Sequence, residues 1–219
     1  MISILMPIYN GMEFLKESLP SIMAQTYEQW ELLIGINGYP PNSEVFQKIS
    51  EFNSQKIKVF DLPNTRGKSQ TLNAMLEYTK YDLLCLLDVD DIWMPTKLEI
   101  QMRYIKDFDV VGTNARYFGN RNDQPIIPLN KINPSEFKIF NPIINSSAMF
   151  YKKDAHWDDI RGVEDYEMWC RLSVAGKKFY NVPEVLVKHR IHAGSAFNTE
   201  EHNKSIENIR TKYSLLCPK

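Results

Sequence analysis

An apolar run from Leu83 to Leu87 ends in three carboxylates, Asp88-Val89-Asp90-Asp91. A strand of that composition is buried, so it delivers charge only at its exposed end. Along an extended backbone Asp88 and Asp90 alternate, while Asp91 begins a turn toward a helix at Pro95. Two or three oxygens then converge on one hard cation. Mg²⁺ and Mn²⁺ prefer such ligands and are commonly completed by substrate phosphates. A solvated turn in which Asp91 helps to cap the next helix satisfies the same pattern, and the motif alone leaves both readings open.

A second carboxylate pair, Glu164-Asp165, follows Gly162-Val163 at the start of a helical stretch. Acidic residues there interact favourably with the helix dipole, which is the plain structural explanation. A general base also needs a carboxylate held rigidly at the mouth of a site with its pKa adjusted by its surroundings, and Asp165 is the candidate for it, although for the pair alone the dipole explanation is the plainer one. In Lys188-His189-Arg190-Ile191-His192-Ala193-Gly194-Ser195, extended alternation places Lys188, Arg190 and His192 on one face, toward a diphosphate or a metal. On spacing alone an ordinary polar strand end with satisfied histidines is the plainer reading. Asn64-Thr65-Arg66-Gly67-Lys68 precedes a helical stretch, and its N–H groups and two cations suit a phosphate, although the GxxxxGK[ST] pattern is absent and a plain polar loop before a helix fits at least as well. Trp30, Trp93, Trp157 and Trp169 are candidates for stacking on sugar rings or for the core.

The elements that position these groups are readable in outline. Apolar runs at Ile2 to Ile8, Leu32 to Ile36, Ile57 to Phe60 and Leu83 to Leu87 suit strands buried on both faces. Helical stripes lie between them: Leu15, Leu19, Ile22 and Met23 in one, Leu72, Met75 and Leu76 in another. Pro20 is expected to break the first helix or to open a second turn there. The alternation predicts an α/β fold, a Rossmann-like, mostly parallel sheet with helices on both faces, whose ligands sit beyond the carboxyl ends of the strands. Phe118 to Asn145, rich in Asn and Pro, reads as a long surface connection over a site. After it come a strand at Asn145 to Tyr151, a helix at Glu164 to Ala175, a strand pair around Phe179 to His189 and a terminal helix from about Thr199 to Leu215.

The chain has 219 residues, 43% of them hydrophobic and 24% charged, with 26 basic against 27 acidic side chains and a net charge of −1. These values suit one compact domain and argue against a nucleic-acid partner bound through a basic face. Cys85, Cys170 and Cys217 form no CxxC pair, which points to a reducing compartment. No apolar run approaches the roughly 20 residues that span a bilayer, and Met1 to Asn10 reads as a strand rather than a leader. A soluble, cytoplasmic protein is expected.

Together these segments resemble the family-two glycosyltransferases of GT-A fold, over roughly Ser3 to His192. Ile4-Leu5-Met6-Pro7-Ile8-Tyr9-Asn10 looks like the family's first strand and nucleotide-binding turn. Ser21 to Tyr27 and Glu31 to Ile34 are similar to its helix and second strand. Asn64, Gly67 and Asn73 fall where it has N-x-G and a helical Asn; Asp88 to Asp91 match its DxDD motif, and Glu164-Asp165 its ED motif.

The resemblance implies a single GT-A catalytic domain over 1–219, with a nucleotide-sugar-binding half at about 1–112 and an acceptor-side half at about 113–219. It implies an inverting hexosyltransferase-type enzyme that moves a sugar from a nucleotide diphosphate donor, a UDP-sugar being favoured, to a glycan or other acceptor hydroxyl. Pro7, Tyr9, Asn10, Asn37, Asn64, Gly67, Lys68 and Asp88 would bind the donor. Asp90, Asp91 and His192 would hold Mn²⁺ or Mg²⁺, and Asp165 would be the base. Asn37 departs from the family, which usually has paired Asp there; its amide oxygen can still accept from a uracil or thymine N–H. The chain leaves little room for an acceptor domain, and without a membrane span it is not expected to be a processive synthase. Its Tyr- and Phe-bearing C-terminal half is able to pack on a second copy. Two alternatives stand beside this one. One is a nonenzymatic sugar-nucleotide or glycan-binding relative. The other is a nucleotidyltransferase, for whose Gly-rich, basic loop Tyr9-Asn10-Gly11-Met12 is a poor substitute.

Overall fold

A computed structural model describes residues 1–194 and 202–214. The carboxyl ends of its first strands gather on one edge of a single mixed sheet. β1 (Ile2–Ile8), β2 (Trp30–Asn37), β3 (Ile57–Leu62) and β4 (Leu83–Leu86) run parallel in the order β3-β2-β1-β4. Beyond β4 the sheet continues through β8 (Met149–Tyr151), β6 (Val110–Gly119), β9 (Phe179–Ile191) and the short β5 (Ile92–Trp93). Three of the pairings on that side, β4·β8, β6·β8 and β5·β9, are antiparallel, whereas β6 and β9 run parallel. A two-residue strand, β7 (Asn130–Lys131), adds to β9.

The near-continuous apolar strands are explained by helices on both faces. Alternate residues Ile4, Met6, Leu32, Ile34 and Cys85 pack toward α1 (Leu15–Met23), α2 (Glu44–Ser50) and α4 (Lys97–Tyr104) through Leu19, Ile22, Ile49 and Leu98. The intervening Leu5, Leu33, Leu84 and Leu86 meet α3 (Gly67–Met75) and α5 (Glu164–Val174) through Leu72, Met75, Met168 and Trp169. A one-residue register slip in any of these strands would exchange the two cores. α6 (His202–Lys212) lies against α5, where Lys212 Nζ pairs with the fully buried Glu167 at 2.8 Å and Arg210 Nε donates to the Tyr166 hydroxyl at 3.2 Å.

Several expectations are revised. Pro20 sits inside α1 without ending it: its ring is solvent-exposed, and the helix closes at Met23. The strand pair around Phe179 to His189 is one 13-residue strand. Pro183 lacks an N–H for the ladder, and the β6–β9 register shifts beside it, so a bulge absorbs the proline where a turn was expected. The Phe118 to Asn145 stretch is only in part a surface connection. It begins inside β6, and Ile132, Phe137 and Ile143 anchor it in the core. All four tryptophans are at most 5% exposed, and Trp169 stacks edge-on against Phe150 and Phe179; none offers a face to a sugar. The terminal helix is described as His202–Lys212, and Thr199, Leu215 and Cys217 lie outside the described residues.

Candidate active site

The strand order places a topological switch between β1 and β4, because the chain proceeds outward through β2 and β3 before returning to β4. Clefts of open α/β sheets form at such points, beyond the carboxyl ends. A cleft of about 1200 Å³ opens there. Pro7, Tyr9 and Asn10 after β1, Asn37 at the end of β2, and Asp88 and Asp90 after β4 all line it. So do Lys68 from α3, Asp165 from α5 and His192 from the end of β9.

At one end the wall is built by two turns. Gly38 has φ +76°, and a Cβ there would lie 2.5 Å from the Tyr9 ring; glycine lets the ring lie against this turn. The Tyr39 hydroxyl donates to the Tyr9 carbonyl at 2.5 Å and fixes the two turns together. Asn37 is 2% exposed; its Nδ2 donates to the Ile8 carbonyl at 3.1 Å, and its Oδ1 is a buried acceptor with no partner. That bond turns the amide nitrogen toward the backbone and leaves the oxygen as the unpaired acceptor.

In the middle lie the carboxylates. Lys68 pairs with Asp88 at 2.5 Å. Asn145 Nδ2 donates to both Asp88 oxygens at 3.2 and 3.0 Å, and the Asp88 N–H donates to Ser146 Oγ at 3.0 Å. Burial opposes ionisation of Asp88, but Lys68 and Asn145 outweigh it and hold the carboxyl below its ordinary range. Asp90 experiences the opposite: burial and the neighbouring Asp91 and Asp88 push it up to about 6. His192 Nε2 lies 3.1 Å from Asp90 Oδ2.

Asp91 is corrected. It is fully buried, its Oδ2 is 2.9 Å from His189 Nδ1 and its Oδ1 accepts the Arg190 N–H at 2.8 Å. Both oxygens are committed away from the cleft, and Asp91 is not among its lining residues. Burial works against protonation of His189, but Asp91 outweighs it and raises the imidazole to about 9, so the pair is ionic at neutral pH. Asp91 thereby ties β9 to the carboxylate turn. Asn64 and Gly67 also lie outside the cleft wall; both are solvent-exposed, and of that loop only Lys68, one residue into α3, reaches inward. Lys188 points to solvent, and Arg190 is held by Glu17 at 3.0 Å and the Asp90 carbonyl at 2.9 Å.

At the other end Asp165 occupies the first turn of α5. Its Oδ1 accepts the Tyr166 N–H at 2.7 Å and its Oδ2 accepts from Asn141 Nδ2 at 2.9 Å. Burial first and Glu164 second push its carboxyl up to about 6, against the pull of Lys68. Gly162 has φ +81°, and a Cβ there would lie 2.0 Å from His202 Cε1, so glycine lets α6 close against this end of the cleft. Asn141, Asn145 and Ser146 are the partners that sequence reasoning missed; their only signal was the Asn-rich composition of a stretch without periodicity.

The donor set fits a divalent cation in part. Among the described residues no three His, Cys, Asp or Glu side chains converge as a ready metal cage. Asp90 with His192 supplies one carboxylate and one imidazole at the cleft, which suits a cation that takes its remaining ligands from phosphate and water. No helix among the described residues is long and apolar enough to cross a membrane.

The chain is similar to proteins of known kind. It is 29% identical over 207 residues to the O-antigen biosynthesis glycosyltransferase WbnJ of Escherichia coli, covering 88% of this chain and 80% of that one. It is 26% identical to an uncharacterized glycosyltransferase of Rickettsia felis, matched over 99% of this chain but only 37% of the relative's length. Among solved structures, S. aureus TarS in complex with UDP-GlcNAc aligns with a TM-score of 0.76 at 14% identity, covering 98% of this chain and 65% of that one. The mannosyltransferase PcManGT of Pyrobaculum calidifontis, in complex with GDP-Man and Mn²⁺, aligns with a TM-score of 0.68 at 15% identity, covering 89% and 58%. These likenesses give the fold as GT-A. The family described as glycosyl transferase family 2 matches residues 3–160, well over half of the sequence, and the chain belongs to that family.

Proposed function

We propose that the chain is an inverting glycosyltransferase that moves a sugar from a UDP-sugar to an acceptor hydroxyl, with Asp165 as general base. The supporting observation is the convergence of Asp88, Asp90 and Asp165, carried by two distant segments, on one cleft at the switch point. The donor half is about 1–112 and the acceptor half about 113–219.

The nucleotide lies at the β1–β2 end. Asn37 Oδ1, buried and unpartnered, accepts the N–H of a uracil ring, and Tyr9, 56% exposed, provides a face beside it. Cytosine presents an acceptor at the equivalent ring nitrogen and leaves Asn37 unsatisfied, at the cost of an unmade buried hydrogen bond. Asp88, ionised by Lys68, accepts from ribose hydroxyls. Asp90 and His192 would hold Mn²⁺ or Mg²⁺, which would offset negative charge on the diphosphate leaving group. Asp165 takes the proton of the acceptor hydroxyl as its oxygen bonds to the anomeric carbon. The bond from that carbon to the diphosphate oxygen breaks with its electron pair, releasing UDP. One displacement needs one base and no covalent intermediate.

Release of free nucleotide from UDP-, TDP-, CDP- and GDP-sugars, with Mn²⁺, Mg²⁺ or chelator, tests this reading. A UDP-sugar is expected to react, with the chelator abolishing release. Folded protein that releases nucleotide from none of them would overturn the enzyme assignment.

A further inference from the structure

Asp165 is held by a residue from a segment that sequence composition presented only as a connection. Asn141 Nδ2 donates to Asp165 Oδ2 at 2.9 Å, while Asn141 Oδ1 accepts the Ile143 N–H at 3.2 Å. The backbone bond fixes which end of the amide faces the carboxylate, so the interaction is a donor aimed at a charge. Four residues on, Asn145 donates to both oxygens of Asp88, and Ser146 accepts the Asp88 N–H. The Trp93 indole N–H anchors this stretch through the Ser146 carbonyl at 2.8 Å, and Gln101 anchors it through the Ser147 carbonyl at 2.8 Å. One short segment therefore grips the donor-side carboxylate and the base together.

We infer that Asn141 is a positioning residue for the base, orienting the Asp165 carboxylate and keeping it ionised, and that the 141–146 segment fixes its distance from the donor site. This rests on the reading of Asp165 as the base. A hydrogen bond donated to a carboxylate favours its charged form, so losing the donor raises the pKa at which the base is disabled. The other groups around Asp165 are Glu164 and Cys170 on α5 and Lys68 on α3. From α6, Arg210 is engaged with the Tyr166 hydroxyl and the Ile139 carbonyl, and His202 rests against Gly162. Lys68, the Tyr166 N–H and Asn141 oppose the upward push of burial and Glu164 on Asp165.

Asn141→Asp is the decisive variant. It is isosteric and keeps the acceptor for the Ile143 N–H, but it turns an oxygen toward Asp165 where a donor stood. Asn141→Ala is the companion that adds no charge. The readouts are the acid limb of the pH profile for UDP release from the reacting UDP-sugar and the Asp165 titration by carboxyl-carbon NMR, assigned by its loss in Asp165→Asn. In Asn141→Asp both should move upward by about one pH unit or more, with a smaller upward move in Asn141→Ala. At pH values below the limb that is about a tenfold loss of turnover, with KM for the donor unchanged. Limbs and titrations superimposable on the unmodified protein, while Asp165→Asn is inactive, would overturn the role of Asn141 and leave the base in place. Full turnover in Asp165→Asn would remove the base and this inference with it.

Discussion

Asp165→Asn is expected to lower turnover by about 10²–10⁴-fold, the range that a positioned general base contributes. The amide is isosteric and can still accept the Tyr166 N–H that Asp165 Oδ1 accepts, so α5 keeps its first turn. What it cannot do is receive the acceptor's proton. UDP binding, which depends on the opposite end of the cleft, should be retained. Because burial and Glu164 set the carboxyl to about 6, activity of the unmodified enzyme should fall as pH drops through that region, where the base becomes protonated. Comparing single-turnover rates and UDP affinity for the two proteins separates chemistry from binding. Equal rates would exclude Asp165 as the base.

Asp90→Ala is expected to cost about 10²–10³-fold in turnover, the scale of removing a preorganised electrostatic partner of the leaving group. The signature is distinct from that of Asp165. Mn²⁺ should raise the melting temperature of the unmodified protein with UDP beyond either ligand alone, as mass action requires of a jointly bound pair. In Asp90→Ala that extra increment should vanish while the protein remains folded, because Asp90 is partly exposed and bonded to His192 rather than to the core. Asp91→Ala should behave differently: it leaves His189 without its carboxylate and frees the Arg190 N–H, so its effect is expected in stability. A Mn²⁺ increment that survives in Asp90→Ala would move the cation elsewhere.

The β1–β4 side of the cleft was legible because buried parallel strands announce themselves. Runs such as Leu32 to Ile36 and Leu83 to Leu87 are apolar at every position, and polar residues that follow such runs must lie at the sheet edge. Asp88 and Asp90 were picked out that way, Asn37 through the family resemblance, and all three line the cleft. Asp91 was misplaced for the same reason: it shares the motif, but the direction of its side chain is decided by His189, 98 residues away. The pairing partners of Asp88 and Asp165 were not legible. Asn145 and Asn141 are contributed by a stretch whose irregular backbone has no period to read, and their roles appear only when β8 inserts between β4 and β6 and brings that stretch to the switch point. The segment expected to form a strand pair is the continuous β9, in which pairing with β6 absorbs Pro183 as a bulge.

A single cleft joins the β1–β2 end, walled by Tyr9 and Asn37, to an end where α6 lies over Gly162; in the proposed reading these take the nucleotide and the acceptor. The raised carboxyl of Asp165 and the ionised Asp88 are two similar groups set apart by their neighbours, one beside Glu164 and the other against Lys68. That separation is what the proposed roles require of them. A carboxylate with a pKa near the working pH exchanges protons, and one held firmly ionised accepts hydrogen bonds.

The most direct test of one base and one displacement is the anomeric configuration of the product. With an α-linked UDP-sugar as donor and methanol as acceptor, the methyl glycoside cannot mutarotate, and its anomeric proton coupling reports the outcome. The account predicts the β-glycoside, formed by the unmodified enzyme and lost in Asp165→Asn; an α-glycoside would contradict it, because retention requires a second step that this assignment of residues does not contain.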